Sequence, residues 1–146
     1  MVRCVRKGSG IALALACALL IVACGDGEST SSETTSAADL EAAAASDAEA
    51  KAAARTAQVV MEAFAVDNVG SYEGADVAVL TEGEPALAEA ELDVVDASST
   101  GYTVTATSEI GTAFSVTRDE NGKTTYSCTP AGADAGCPES GDWSTG

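Results

Sequence analysis

Hydrophobic and polar positions change rhythm four times along the chain. After Arg3, Arg6 and Lys7, residues Ile11 to Ala23 form an unbroken run of small and apolar side chains. A basic start followed by 13 such residues is the pattern of a secretory signal. It falls short of the roughly 20 residues a bilayer-spanning helix needs. Residues 25–36 (GDGESTSSETTS) then contain no large apolar side chain and predict a flexible tether.

From Ala37 to Val66 the pattern predicts one long helix. Fourteen of these residues are Ala, and neither Gly nor Pro interrupts them. Ser36 and Asp39 have capping-box spacing, Asp47 and Lys51 form an i,i+4 pair, and Asn68 with Gly70 supplies a stop. Before residue 58 the only large aliphatic is Leu40, whereas Val59, Val60, Met61, Phe64 and Val66 crowd the end. The stripe Ala53, Ala57, Val60, Phe64 is the expected packing face, which leaves the first half of the helix to project as a spacer or to bind something. An irregular connection through Val77–Leu80 follows, with a short helical turn at Glu84–Leu87.

Beyond it, period-two alternation predicts four strands. Leu92–Val95 comes first; Tyr102, Val104 and Ala106 alternate with threonines; Phe114 and Val116 alternate with Ser115 and Thr117. Asn121-Gly122 predicts a type I′ turn into Lys123–Tyr126. The expected fold class is α+β, a long N-terminal helix packed on an antiparallel four-stranded meander with a disulfide-closed C-terminal loop.

Composition narrows the function. The 146 residues hold 7 Lys+Arg against 23 Asp+Glu and no His, for a net charge of −16. Such a chain does not neutralise a phosphate backbone, so nucleic acid is not an expected partner. Without His there is no Ser–His or Cys–His nucleophile and no imidazole ligand. Gly25, Gly27 and Gly70–Gly74 lack the strand–helix context of a phosphate loop. With 23 acids, almost any fold brings two carboxylates together, so proximity alone does not indicate glycoside hydrolysis. No enzyme activity and no catalytic residue are expected.

The apolar run ends in Ile21-Val22-Ala23-Cys24-Gly25. This resembles the lipobox of bacterial lipoproteins, in which an aliphatic residue and two smaller ones precede an invariant Cys. The resemblance implies cleavage between Ala23 and Cys24, diacylglycerol on the Cys24 thiol, and further acylation such as palmitate. Two or three acyl chains hold a protein at a membrane where a single chain does not. Cys4 and Cys17 leave with the signal and Cys24 takes the lipid, so Cys128 and Cys137 remain as an even pair in an oxidising compartment. A disulfide between them fits better than a metal site, which would lack a third ligand. The mature chain keeps only Lys51, Arg55, Arg118 and Lys123 against all 23 acids, a net charge of −19. Anionic lipid repels it, so the acyl groups must anchor it without electrostatic help.

A second resemblance covers residues 47–146. Ala54-Arg55-Thr56-Ala57-Gln58, Met61-Glu62-Ala63-Phe64, Asp67-Asn68 and Gly70-Ser71-Tyr72 look like the head end of the long helix of type IV pilins and pseudopilins. Glu84-Pro85-Ala86-Leu87, Gly101-Tyr102-Thr103-Val104, Phe114-Ser115-Val116, Cys128, Gly136-Cys137-Pro138 and Gly141-Asp142-Trp143 continue the likeness in order. It implies a globular head of helix on four-stranded sheet with a disulfide-closed end, near which Trp143 packs. The family's apolar stalk, about 20 residues with Glu at its fifth position, is missing: Gly10 is followed by Ile11, and lipobox and tether take its place.

Some pseudopilin heads hold Ca²⁺ in their C-terminal loops. Oxygen donors of that kind are Asp119, Glu120 and Asn121 at the hairpin and Asp134, Glu139 and Asp142 around the clasp, but none has EF-hand spacing. Surface acids on a −19 domain are the simpler reading, so no metal or other cofactor is expected. The acids at 82, 84, 89, 91, 93 and 96 read likewise as a solvated face rather than a docking strip. The expectation is a signal peptide over 1–23, a lipidated Cys24 and tether over 24–36, and a pilin-like domain over 37–146. The protein would be an extracytoplasmic, membrane-anchored lipoprotein whose head binds or supports an envelope protein. The alternative is a divergent minor pilin or pseudopilin of a type IV pilus or type II secretion system.

Overall fold

The computed structural model describes residues 36–133 and 136–145; the expected signal, Cys24, most of the tether and Asp134 lie outside them. The element order is α1 (Ala37–Asp67), α2 (Val77–Gly83), a 3₁₀ turn (Pro85–Glu89), then β1 (Glu91–Ala97), β2 (Tyr102–Thr107), β3 (Ala113–Arg118) and β4 (Thr124–Thr129). The strands form one antiparallel sheet in chain order, β1-β2-β3-β4. This is the α+β class expected from the alternation.

Alanine content makes α1 possible and its two caps set its length. The Ser36 hydroxyl accepts the Asp39 N–H at 3.2 Å, and the Asp39 carboxylate accepts the Ser36 N–H at 3.1 Å. At the other end the Asn68 N–H meets the Phe64 and Ala65 carbonyls, and the Gly70 N–H reaches Ala65 at 2.7 Å. Val69 between them has φ 58° and is fully exposed, a left-handed conformation that a β-branched residue adopts only under strain.

The buried stripe of α1 is Ala50, Ala54, Ala57, Met61 and Ala65, preceded by Ser46 and Asp47. Of the expected stripe, Ala57 lies on this buried face, whereas Ala53, Val60 and Phe64 sit to one side, half-buried against the core edge. The reason is volume: alanines let the helix approach the sheet, where Tyr102, Val104, Ala106, Phe114 and Val116 already fill the space. Residues 37–45 lie almost entirely in solvent, so the first turns do project.

The opposite sheet face is threonine and serine. Thr103 bonds Thr117 at 3.1 Å and Thr105 bonds Ser115 at 2.8 Å across β2 and β3. A bulge between Val94 and Asp96 breaks the register of β1 and leaves Val95 exposed.

Two local expectations are corrected. Val77–Gly83 is a helix, not an irregular connection, because the Asp76 carboxylate accepts the Val79 N–H at 2.9 Å and Leu80 is buried. The β3–β4 hairpin is not type I′. The Gly122 N–H closes a turn on the Asp119 carbonyl, and Gly122 (φ 79°) is the residue of that turn with positive φ, whereas type I′ needs two. Asp119 Oδ1 accepts the N–H groups of Asn121 and Lys123 at 2.9 and 2.8 Å, which stabilises the wider turn.

The tail folds back on β4. Cys128 and Cys137 are disulfide-bonded with Cα atoms 5.7 Å apart. The Cys128 N–H donates to Gly141 O at 2.8 Å, and the Trp143 indole N–H donates to Ser127 O at 2.9 Å. Trp143 is buried edge-on against Phe114 and Tyr126, with ring centroids 5.8 and 5.1 Å away.

The Asp47–Lys51 pair does not form. Lys51 Nζ lies 5.2 Å over the Phe114 ring, while Asp47 is 0 % exposed and, among the described residues, neither carboxylate oxygen meets a donor. Gly136 packs against it so closely that a Cβ there would stand 2.7 Å from Oδ2. An unpaired buried carboxylate costs stability. Asp47→Ala extends the alanine face and is expected to raise unfolding stability by about 1–3 kcal/mol in urea titrations; a loss would contradict this. Replacing both Cys128 and Cys137 by Ser is expected to lower it by about 2.5–3 kcal/mol, from the loop the bridge closes in the unfolded chain. An unchanged midpoint would contradict that.

Candidate functional site

Three places on the domain concentrate chemistry, and the first is structural. Glu62 on α1 faces β2 and β3. Its Oε2 accepts the Tyr72 hydroxyl at 2.8 Å and its Oε1 the Tyr102 hydroxyl at 3.1 Å. Arg118 Nη1 stands 3.4 Å from Oε1, and its guanidinium lies 5.9 Å from the Tyr72 ring centre. The rings of Tyr72 and Tyr102 are 4.8 Å apart. Burial, then the neighbouring Glu62 charge, pushes the Tyr102 phenol well above the ordinary range; burial and the Glu62 hydrogen bond raise Tyr72. One carboxylate thus ties helix, connection and two strands, and its hydrogen bonds are satisfied internally.

The second place is the tail, where the sequence pointed to oxygen donors. Asp119 and Asp142 are not brought together. The turn at Asp119 and the Ser127–Asp142 bridge stand at opposite ends of β4, about 13 Å of strand apart. Each is occupied by the backbone: Asp119 by Lys123 and Asn121, Asp142 by the Ser144 N–H at 2.8 Å. Those bonds hold both carboxyls below the usual range. Glu120 and Glu139 are exposed, and Asp134 lies outside the described residues. Among the described residues, no three acidic or cysteine side chains are grouped to hold a metal ion.

The third place was not anticipated. An open groove of about 730 Å³ runs between α1, the 3₁₀ turn and the end of β2. Ala50, Ala53 and Leu87 form its floor, and Ser46 locks its far end by accepting the Glu109 N–H at 2.8 Å. Glu49, Glu84, Glu89, Glu91 and Glu109 line it, Glu84 Oε1 also accepting the Ala86 N–H at 3.3 Å, and no described lysine or arginine does so. Glu84, Glu89 and Glu91 came from the strip read as a solvated face; Glu89 and Glu91 are indeed exposed, as are Glu82, Asp93 and Asp96. Glu49 and Glu109 join them only through tertiary folding. The available signal was weak: acids flanking small residues on α1, matched with a distant acidic run.

Neither a family model, nor a curated protein, nor a solved structure matches the chain. What the site defines is therefore a class by geometry: a helix-on-meander domain with an acidic, apolar-floored groove.

The tyrosine pair makes stability pH-dependent in alkali. Both phenols are raised in the folded state from an ordinary value of 10.0, so folding holds protons that the unfolded chain releases. Their contribution is complete below about pH 10 and is lost as pH rises above it. Tyr102→Phe is expected to weaken that alkaline decline while costing about 1–2 kcal/mol at pH 7, because Glu62 loses a donor. An unaltered alkaline limb in urea titrations would contradict this.

Proposed function

We propose that the protein is an extracytoplasmic lipoprotein, anchored by acyl groups on Cys24, whose pilin-like head is a non-catalytic binding or structural module at the cell envelope. The observation that carries this is the run of basic start, 13-residue apolar segment, Ile21-Val22-Ala23-Cys24 and a polar tether without large apolar side chains, in sequence order. The rest of the chain supports it. α1 begins at Ala37, directly after the tether, and Cys128 and Cys137 are disulfide-bonded, as suits an oxidising compartment. The side chains that concentrate chemistry on the domain have internal partners: the Glu62 carboxylate meets two phenols and a guanidinium, and Asp119 and Asp142 accept backbone N–H groups.

A second reading is favoured by the order long helix, four-stranded meander, disulfide-closed tail, which is that of a minor pilin or pseudopilin head. In that case the apolar segment would hold the protein and Cys24 would carry no lipid. Metabolic labelling with radioactive palmitate separates the two. The wild-type protein is expected to take up label and Cys24→Ser to lose all of it. An unlabelled wild type, or label retained by Cys24→Ser, would overturn the lipoprotein reading.

A further inference from the structure

We infer that the groove between α1 and the 3₁₀ turn is a docking site for a partner polypeptide segment that carries Lys or Arg beside large aliphatic side chains. The inference rests on the binding-module reading above and names where and what the module binds.

Shape sets the size of the occupant. The α1 wall runs from Ser46 to Thr56, roughly 15 Å of helix axis, and the groove is open along it. That length suits about ten residues of helix rather than a single ion. The floor sets the apolar part. Ala50, Ala53, Ala86 and Ala90 present small side chains, with Leu87 buried at the bottom, so a partner must bring the bulk that this side lacks. The five bordering glutamates set the charge: a cationic rim opposite them gains attraction and rate of encounter, and an acidic segment is repelled.

A second copy of this chain is a poor occupant. After cleavage at Cys24 it holds four bases against 23 acids. Three of those bases already have contacts within the domain, Lys51 over Phe114, Arg55 over Trp143 and Arg118 on Glu62. The acids of the groove therefore belong to a different partner, and Glu84, Glu89 and Glu91 of the strip read as solvated form part of that interface.

The test uses the protein as extracted from membranes, in neutral detergent, and a fluorescent synthetic peptide of about ten residues, helical, with lysine on one face and leucine on the other. Binding is read by anisotropy at low and physiological salt. The variant Glu49→Gln/Glu89→Gln/Glu109→Gln is expected to weaken binding about tenfold. Asp93→Asn/Asp96→Asn/Glu120→Gln removes the same charge away from the groove and is expected to change it less than about twofold. Ala53→Trp fills the floor while leaving every charge in place, and is expected to weaken binding as the glutamate variant does. Circular dichroism checks that each variant is folded.

Equal loss in the two charge variants would mean that the peptide answers only to net charge, and would overturn the proposal. So would the absence of binding, or Ala53→Trp binding as wild type does. Self-association in sedimentation that Ala53→Trp abolishes would give the groove to a second copy, also against the proposal. The lipid label on Cys24 does not depend on any of these results, so the anchor and the groove fail separately.

Discussion

The structure depends on how closely α1 can approach the sheet. The inward face of the helix is Ala50, Ala54, Ala57 and Ala65 with a single Met61, and each alanine buries little apolar area of its own. What the helix gives up in side-chain volume the sheet returns: Tyr102, Phe114 and Val116 reach up from β2 and β3, and Trp143 closes the side from the tail. A larger residue at Ala54 or Ala57, both wholly buried, would have to displace those rings. The small face explains two other features. It brings the Glu62 carboxylate within reach of the Tyr102 hydroxyl on β2 and the Tyr72 hydroxyl on the connection, and it leaves Asp47 packed closely under Gly136.

Charge is arranged around the same contact. The bases of α1 and β3 lie over aromatic rings: Lys51 over Phe114, Arg55 over Tyr126 and Trp143, Arg118 over Tyr72. With so few bases against its acids the domain presents a mainly negative exterior, while three of its positive charges help to hold helix and sheet together. A protein so charged is repelled by anionic lipid, so in the proposed lipoprotein the acyl groups would have to hold it without electrostatic help.

Much of this was legible in the sequence where one residue type answers to one local rule. The start of α1 followed from Ser36 and Asp39, its end from Asn68 and Gly70, and the strands from threonine alternating with Tyr102, Val104 and Ala106. The disulfide followed from counting cysteines, and the placement of Trp143 by the clasp from its position in the tail. What was not legible depended on competition between neighbours. Alanine makes every face of α1 look alike, so the stripe was read from Val60 and Phe64 and came out to one side. Asn121-Gly122 carries a two-residue turn signal, but Asp119 captures two N–H groups and opens the turn. Asp47 and Lys51 have pairing geometry along an isolated helix, yet burial of one and an aromatic ring under the other separate them. The groove combines residues from α1, the 3₁₀ turn and the β2–β3 end, and no linear pattern joins those.

The central claim is that a folded acidic head hangs from a lipid on Cys24, and intact mass spectrometry of the protein extracted from membranes tests it most directly. The account predicts the mass of residues 24–146 plus diacylglycerol and any further acyl group, with the Cys128–Cys137 bridge intact. A chain that keeps residues before Cys24 and carries no lipid would contradict it.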